Sequence, residues 1–357
     1  MRVLIIAFHP RTMTPYSKLY EDTLKENNVE YDIIFWDRFS NGELEHVGNE
    51  YIIHKICTLG GNRLKKIIPM YNFRKVILNI ISQNTYDRII ILNTLPAVLI
   101  NDILLRKYQG NYVLDIRDYT YEKYSFYKNI VDKLIADSAF STISSDGFRD
   151  FLADSDKLYV NHNISNIDAI NKGADDRLSC KKNINIGYVG VVRFQNENLL
   201  MIEALKNNKQ YKFSYYGYIH ASCDMPKIIE NKKYNNVSFN GAFNNDDKPM
   251  IYQTIDIVNA MYTNKDLNSR LCLPNRLYDC LIFKKPIIVP KGTYCARIVE
   301  QYNLGIAVDE TVDIKKAIMN YINKFDSKKF NANSEQLLQK IFEDQKLIKD
   351  KIKALIE

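Results

Sequence analysis

The sequence lacks the signals of several common protein classes. Its six cysteines are scattered without a Cys-x-x-Cys pair, which disfavours a disulfide framework and a zinc site and favours reduced thiols in a cytosolic protein. No uninterrupted apolar run is long enough to cross a bilayer. Residues 1–8 turn polar too soon for a secretory signal, so they predict a buried first strand instead.

Two ligand-binding signatures are missing as well. The first predicted strand leads into His9-Pro-Arg-Thr rather than a glycine-rich fingerprint, which disfavours a nicotinamide-dependent oxidoreductase. No nucleic-acid-binding motif is present. The formal net charge of +7 is modest for 357 residues. It suits an anionic ligand or an anionic membrane surface, and it equally fits no particular partner.

The sequence does contain an alternation of β-branched runs and helical patterns, which is typical of parallel sheets covered by helices. We predict an α/β protein with two Rossmann-like domains facing each other across a cleft, at 1–165 and 184–330. A polar linker at 166–183 joins them, and a helical segment at 331–357 packs back toward the N-terminal domain. The predicted strands are 3–8, 31–36, 89–92, 112–116, 140–143, 158–160, 184–189, 213–216, 237–239, 257–260, 287–289 and 306–308.

The loop after the strand at 184–189 is a candidate phosphate site, because open parallel sheets bind ligands at the carboxyl ends of their strands. Gly190 lets the main chain approach a ligand closely, and the guanidinium of Arg193 offers several N–H donors to a phosphate. A helix predicted to start near Asn196 or Asn198 would direct free N–H groups at the same place. A glycine and an arginine also fit a plain turn.

The loop after the strand at 237–239 is a candidate base site. Backbone groups of Gly241, Ala242 and Phe243 can grip the edge of a nucleobase. The alternative is an ordinary helix N-cap provided by Asp246 or Asp247.

A helix predicted from Pro274 is the third candidate. Arg270, Asn275 and Arg276 crowd its amino end, where the helix dipole and free N–H groups favour a diphosphate. Asp279 lies one turn further on and can accept hydrogen bonds from ribose hydroxyls. The alternative for Asp279 is a surface carboxylate paired with Arg276.

Taken in order, these stretches resemble the GT-B glycosyltransferases, particularly the retaining family 4 and its bacterial polysaccharide relatives. The motifs of the second half are IGYVG (186–190), FNG (239–241), PNRLYD (274–279), KPII (285–288) and IVE (298–300) followed by Gly305. Those of the first half are YDRII (86–90), VLDIRD (113–118), FSTIS (140–144) and YVNHN (159–163).

The resemblance implies transfer of a sugar from a UDP- or GDP-type donor, with no metal or other cofactor required. Family members usually carry two glutamates with seven residues between them in the donor domain. Here Asp279 stands at the later position and Leu271 at the earlier one, so the carboxylate attributed to the sugar is missing. Retaining and inverting chemistry both stay open.

An inverting enzyme needs a base on the N-terminal domain to deprotonate the acceptor hydroxyl. Asp118, Asp115 and His9 are candidates because they lie at predicted strand ends, and Asp118 is preferred. Asp115 can instead form a structural ion pair with Arg117.

The implied acceptor is a glycan or a polyprenyl-diphosphate-linked glycan, and the implied role is surface polysaccharide assembly in the cytoplasm. Segment 60–70, with three basic residues and several aliphatic ones, can rest on the inner face of the cell membrane or can be a mobile loop leading into a core helix. Two alternatives remain: a catalytically inactive GT-B partner subunit and a nucleotide-sugar epimerase of the same architecture.

Overall fold

The chain divides into two compact units in a computed structural model that describes residues 1–57, 64–164, 170, 174, 178–206 and 208–357. Unit 1 comprises Met1–His162 and Phe342–Glu357, and unit 2 comprises Asn163–Ile341. The predicted linker at 166–183 lies largely outside the described residues. Each unit contains one sheet with helices packed around it.

Unit 1 contains eight strands, and its buried core lies on the central ones. They are β1 (Arg2–Ala7), β2 (Glu30–Asp37), β3 (Glu45–Val47), β4 (Glu50–His54), β5 (Arg88–Leu92), β6 (Tyr112–Ile116), β7 (Phe140–Ile143) and β8 (Leu158–Val160). The sheet order is β3-β4-β2-β1-β5-β6-β7-β8, and every pair is parallel except β3 with β4. The strand order reverses between β1 and β5, which makes their carboxyl ends a place where ligands commonly bind.

In the part of unit 1 that the structure describes, five α-helices connect these strands. They are α1 (Ser17–Glu26), α2 (Ile67–Gln83), α3 (Thr94–Leu99), α4 (Asn101–Lys107) and α5 (Ser125–Asp137). Apolar residues at helical spacing hold α2 against the sheet, since Phe73 and Ile77 are fully buried. The Phe73 ring stacks on Trp36 of β2 with 4.5 Å between ring centroids.

Unit 2 contains six strands in a wholly parallel sheet. They are β9 (Ile184–Val189), β10 (Tyr211–Tyr216), β11 (Val237–Phe239), β12 (Ile257–Asn259), β13 (Ile287–Pro290) and β14 (Gly305–Val308), in the order β11-β10-β9-β12-β13-β14. The helices are α6 (Gln195–Ala204), α7 (Met225–Asn231), α8 (Lys248–Gln253), α9 (Leu267–Leu271), α10 (Asn275–Phe283), α11 (Tyr294–Gln301) and α12 (Ile314–Asn323). Here the order reverses between β9 and β12, which makes the carboxyl ends of these two strands a place where ligands commonly bind.

The chain ends in one long helix, α13 (Ser327–Ile356). Its first part belongs to unit 2, where Ser334 accepts a hydrogen bond from Lys284 Nζ at 3.1 Å. Its last part belongs to unit 1, where Ile348 and Ile352 are fully buried in the core. The prediction that the C-terminal helix returns to the N-terminal domain is therefore confirmed, as is the α/β class.

The structure also contains elements that the sequence patterns did not indicate. The hairpin of β3 and β4 was not predicted, because β3 is exposed along its whole length and carries no apolar alternation. The last residues of segment 262–270, expected to be a polar loop, form most of α9, whose N-cap Asp266 accepts a hydrogen bond from the Ser269 backbone N–H. Among the described residues, no helix has the length and apolar character to cross a membrane.

Candidate functional site

Glycines follow the first three strands of unit 2. Gly190, Gly217 and Gly241 all have positive φ angles, and they come after β9, β10 and β11. The Gly190 N–H donates to Tyr216 O at 2.9 Å, and the Gly217 N–H donates to Gly241 O at 2.7 Å. A Cβ added to Gly217 would lie 1.9 Å from Gly190 O, whereas a Cβ on Gly190 or Gly241 would meet nothing within 4 Å. This edge of the sheet therefore presents tightly packed backbone with open space beside it.

The loop after β9 leads directly into helix α6. Phe194 is the N-cap residue, in the left-handed conformation with φ 60° and ψ 54°. Its side chain has no oxygen that could accept from the first N–H groups of the helix, so those groups can serve a ligand. Arg193 is exposed, and its guanidinium carbon lies 4.6 Å from the centroid of the Phe194 ring. Gly190 and Arg193 are thus on the same loop, as predicted from the sequence, and the helix begins at Gln195.

A buried amide holds this loop in place. Asn198 is fully buried, and its Nδ2 donates to the carbonyl oxygens of Arg193 at 3.1 Å and Phe194 at 3.0 Å. Its Oδ1 accepts from Asn259 Nδ2 at 2.9 Å and from Tyr215 at 3.3 Å. The sequence patterns did not assign this role to Asn198, because an asparagine in a helix start is more often a cap.

The candidate diphosphate site predicted at the start of one helix lies on two helices. Arg270 is on α9, and α10 begins at Asn275 with Pro274 as its N-cap, so the predicted helix start moves by one residue. Proline has no side-chain acceptor either, which leaves the first N–H groups of α10 available. The guanidinium carbon of Arg276 lies 3.9 Å from the centroid of the Tyr188 ring, at the end of β9.

Arg276 is therefore near the start of the loop that contains Gly190 and Arg193, because Tyr188 is the second-last residue of β9 and its hydroxyl donates to Val191 O at 2.9 Å. Arg270 is exposed, and Asn275 Oδ1 accepts from Asn163 Nδ2 at 2.8 Å.

Asp279 is buried rather than on the surface, with 3% of its area exposed. Both of its oxygens lie 3.1 Å from Lys248 Nζ, and one also accepts from the Tyr252 hydroxyl at 2.8 Å. The alternative expected for this residue, a surface carboxylate paired with Arg276, is wrong on both points, since the residue is buried and its ion pair is with Lys248 of α8. The ribose contact stays a prediction. Leu271, at the position of the missing glutamate, is 5% exposed.

The candidate base site follows β11, the edge strand of the sheet. Gly241 and Ala242 are exposed and Phe243 is half-buried. A 3-10 turn, Asn245–Asp247, precedes α8, and its N-cap Asn244 donates a backbone N–H to Asp247 Oδ2 at 2.8 Å in a reciprocal capping box. Asp247, one of the two residues expected to cap the helix, is the N-cap residue of α8, although its side chain accepts no capping hydrogen bond there.

In unit 1, polar and aromatic side chains fill the carboxyl edge of the sheet. Asp115 is completely buried, and Arg117 Nη2 donates to its Oδ2 at 2.7 Å. The same guanidinium donates to Asn161 O at 3.1 Å and lies 4.4 Å from the Tyr16 ring centroid. Burial acts against the charge of Arg117, but Asp115 together with Tyr20 and Tyr16 outweighs it and keeps the pKa of Arg117 raised. Asp115 therefore forms the ion pair that was its structural alternative.

Asp118 is exposed on the loop that follows this ion pair. The loop is held by Glu122, which accepts from the Thr120 N–H at 2.5 Å and from the Thr94 hydroxyl at 3.0 Å. Burial raises the pKa of Glu122. The sequence patterns did not single out Glu122, and its position after β6 was the one available signal.

His9 follows β1 and is half-buried. Burial, and secondly the charge of Arg38, lower the pKa of His9 to about 4. Its imidazole is therefore neutral near pH 7. Within the described part of the chain, His9 Nδ1, Asn93 Oδ1, Asp115 Oδ1 and Arg117 Nε are buried atoms without a hydrogen-bond partner.

Segment 60–70, predicted as a membrane contact or a loop, is described only in part, because residues 60–63 lie outside the described residues. Among the residues that the structure describes, no group of three or more His, Cys, Asp or Glu side chains is arranged to hold a metal ion.

No protein-family model and no curated protein sequence matches the chain. Solved structures match it over nearly its whole length at low identity. Sucrose-phosphate synthase of Thermosynechococcus elongatus has a TM-score of 0.70 at 10% identity, covering 99% of this chain and 94% of that one. HepE of Anabaena, in complex with UDP, has a TM-score of 0.69 at 12% identity and covers 99% and 100%. A glycosyltransferase of Rickettsia africae has a TM-score of 0.66 at 15% identity and covers 100% and 98%. These similarities and the two parallel sheets identify the fold of this chain as that of the GT-B glycosyltransferases.

Proposed function

We propose that the protein is a glycosyltransferase that moves a sugar from a UDP- or GDP-type donor to a hydroxyl of an acceptor. The observation that carries the proposal is the full-length similarity to HepE, which was solved with UDP and with UDP and glucose. The acceptor is a glycan or a polyprenyl-diphosphate-linked glycan in surface polysaccharide assembly. The protein works in the cytoplasm, peripherally at the inner face of the cell membrane.

The donor diphosphate is proposed to bind at the carboxyl edge of unit 2. Negative charge grows on the diphosphate as the sugar leaves, so positive groups positioned there lower the barrier. The exposed guanidinium of Arg193, that of Arg276, and the first N–H groups of α6 and α10 offer such charge. Arg270 is a further candidate. Because these groups can supply the positive charge, we propose transfer without a metal ion.

For transfer with inversion, Asp118 is the proposed base that accepts the proton of the acceptor hydroxyl. It is exposed, whereas Asp115 is completely buried and paired with Arg117. His9, with its pKa lowered to about 4, has little affinity for a proton at neutral pH. Asp118→Asn is expected to lower transfer about 10²–10⁴-fold, while nucleotide binding is retained. Near-normal turnover would remove Asp118 from this role.

A nucleotide panel tests the donor assignment. UDP or GDP is expected to raise the melting temperature, since a ligand at 100 times its Kd adds about 2.7 kcal/mol to stability. Arg276→Met is expected to weaken nucleotide binding about 10-fold or more, because a charge-assisted hydrogen bond is lost.

Arg297→Met is the matched control, since its guanidinium carbon also lies over a tyrosine ring, 4.8 Å from the centroid of Tyr294. It should keep the full response. A protein that responds to no nucleotide would contradict the proposal.

One observation favours a second candidate, a GT-B subunit without catalysis. Leu271 is apolar and 5% exposed where the family's sugar-binding carboxylate is expected. Such a subunit would bind the nucleotide in the same panel but would neither transfer nor hydrolyse the sugar of any donor.

A further inference from the structure

The amino end of α2 presents apolar side chains to solvent. Ile67, Ile68 and Tyr71 are 59%, 69% and 64% exposed. Further along the same helix Phe73 and Ile77 are fully buried. The first turns of α2 therefore carry a second apolar surface that the core of unit 1 does not use.

This surface lies at the carboxyl edge of the unit 1 sheet. The chain passes from β4 to the parallel strand β5 through α2, and such a crossover helix begins at the carboxyl edge and runs back to the amino edge. The stacking of Phe73 on Trp36, next to the last residue of β2, agrees with this direction. Asp118 follows β6 and is at the same edge.

Basic residues surround the exposed apolar ones. Lys65 and Lys75 are exposed, Lys66 is half-buried, and the first turn of α2 contains no acidic residue. Asp102 contacts α2 through Arg74 at 2.8 Å, and its charge is further neutralised by Arg106 at 3.2 Å. We call Lys65, Lys66, Ile67, Ile68, Tyr71 and Lys75 the α2 surface.

We propose that the α2 surface docks on an anionic lipid membrane. Ile67, Ile68 and Tyr71 enter the interfacial region, where aliphatic side chains are buried and tyrosine is favoured. Lys65, Lys66 and Lys75 contact anionic headgroups. The six residues of the α2 surface are far fewer than the roughly 20–30 residues on each side of a stable protein interface, which argues against a protein partner. The inference rests on the proposed function, because it names the membrane as the surface that presents the acceptor.

Flotation of the full chain with vesicles tests the inference. Vesicles of equal parts phosphatidylcholine and phosphatidylglycerol should bind the protein, and pure phosphatidylcholine should bind it much less. The variant with Ile67→Ser, Ile68→Ser and Tyr71→Ser should lose binding to anionic vesicles at least about tenfold. Each lysine replaced by glutamine should lower binding about fivefold at low salt.

Val47→Ser is the matched control. Val47 is 60% exposed, close to the value for Ile67, and it lies in unit 1 where β3 turns into β4, at the amino edge of the sheet. Its binding should equal that of the wild type. The inference is overturned if the wild type ignores anionic vesicles, if the triple variant binds as the wild type does, or if light scattering shows a dimer that the triple variant converts to a monomer.

The nucleotide panel on the same variants separates the two proposals. Loss of vesicle binding with an unchanged response to UDP supports the inference and shows that the triple variant is folded. A wild type that binds UDP but no vesicle overturns the inference alone. A wild type that binds vesicles but no nucleotide overturns the proposed function alone.

Discussion

The two sheets of this protein have carboxyl edges of opposite construction. The edge of unit 1 is filled with side chains that bind one another, as in the buried pair of Asp115 and Arg117. The edge of unit 2 is lined by glycine backbone at Gly190, Gly217 and Gly241, with an arginine exposed beside it. Two sheets built mainly from parallel strands thus support a closed polar framework in one unit and an open backbone surface in the other.

This difference has a chemical consequence. The first N–H groups of α6 and α10 and the exposed guanidinium of Arg193 suit a phosphate, because they offer donors beside glycines that leave space for it. A buried ion pair cannot receive a ligand, but it fixes the backbone from which the exposed Asp118 projects. We therefore expect substitutions at the unit 1 edge to act mainly on stability and those at the unit 2 edge mainly on nucleotide binding.

The largest effect is expected from Asp115→Ala. It leaves the buried guanidinium of Arg117 without its partner, which should lower the free energy of unfolding by about 3–5 kcal/mol. Asp118→Asn, at an exposed position three residues away in the chain, should change it by less than about 0.5 kcal/mol. Urea denaturation measures both. Equal effects of the two substitutions would show that the edge of unit 1 is not organised by its ion pair.

Asp279→Ala tests whether the buried carboxylate of Asp279 only stabilises unit 2 or also binds the nucleotide. Lys248 and Tyr252 would lose their acceptor, so the free energy of unfolding should fall by about 3 kcal/mol. The loss should not exceed that of Asp115→Ala, because the Lys248 side chain is 11% exposed and can reach water. If the affinity for UDP falls along with stability, the Asp279 carboxylate also contacts the ribose. If the affinity is unchanged, the role of Asp279 is structural only.

Gly190 and Gly217 have φ angles of 133° and 136°, so alanine at either position should cost about 1–3 kcal/mol of backbone strain. Gly217→Ala should cost more than Gly190→Ala, because its new Cβ would overlap the Gly190 carbonyl oxygen, whereas a Cβ on Gly190 meets open space. The UDP affinity of Gly190→Ala should fall more than that of Gly217→Ala. Thermal melts with and without UDP check the order, and a reversal would contradict an open phosphate site beside Gly190.

The smallest effect is expected at His54, another member of the side-chain framework at the unit 1 edge. Its Nδ1 lies 3.0 Å from Asp37 Oδ2 and its Nε2 lies 3.2 Å from Glu45 Oε2. Burial opposes protonation, but these carboxylates outweigh it and raise the pKa of His54 above 6.5. The stabilisation is therefore complete below the unfolded pKa and is lost as the pH rises through the raised folded value.

His54→Gln should accordingly cost about 0.2–1 kcal/mol at pH near 6 and less at pH near 9. His46→Gln, on the neighbouring strand, is the control. Its ring makes a stacking contact with Tyr51, 3.9 Å between centroids, so this substitution controls for the loss of an imidazole from the same hairpin. If the cost of His54→Gln increases with pH, the pKa of His54 is lowered on folding and not raised.

Most of the fold could be predicted because the strands of a parallel sheet are short apolar runs that stand out from the helices between them. Strand β6 and strand β9 have the predicted bounds. Strand β3 does not carry such a run, since all three of its residues are exposed. The loops of the candidate site were also located, because glycines and arginines after strands are visible in the sequence.

The partners of the polar residues could not be predicted. Asp279 and Lys248 are far apart in the chain, and only the packing of α8 against α10 brings them together. The sequence by itself determined the alternation of strands and helices, the glycines at strand ends and the positions of the arginines. The tertiary structure decided which charges are neutralised inside and which face solvent, because burial and long-range pairing depend on contacts that local sequence patterns do not contain.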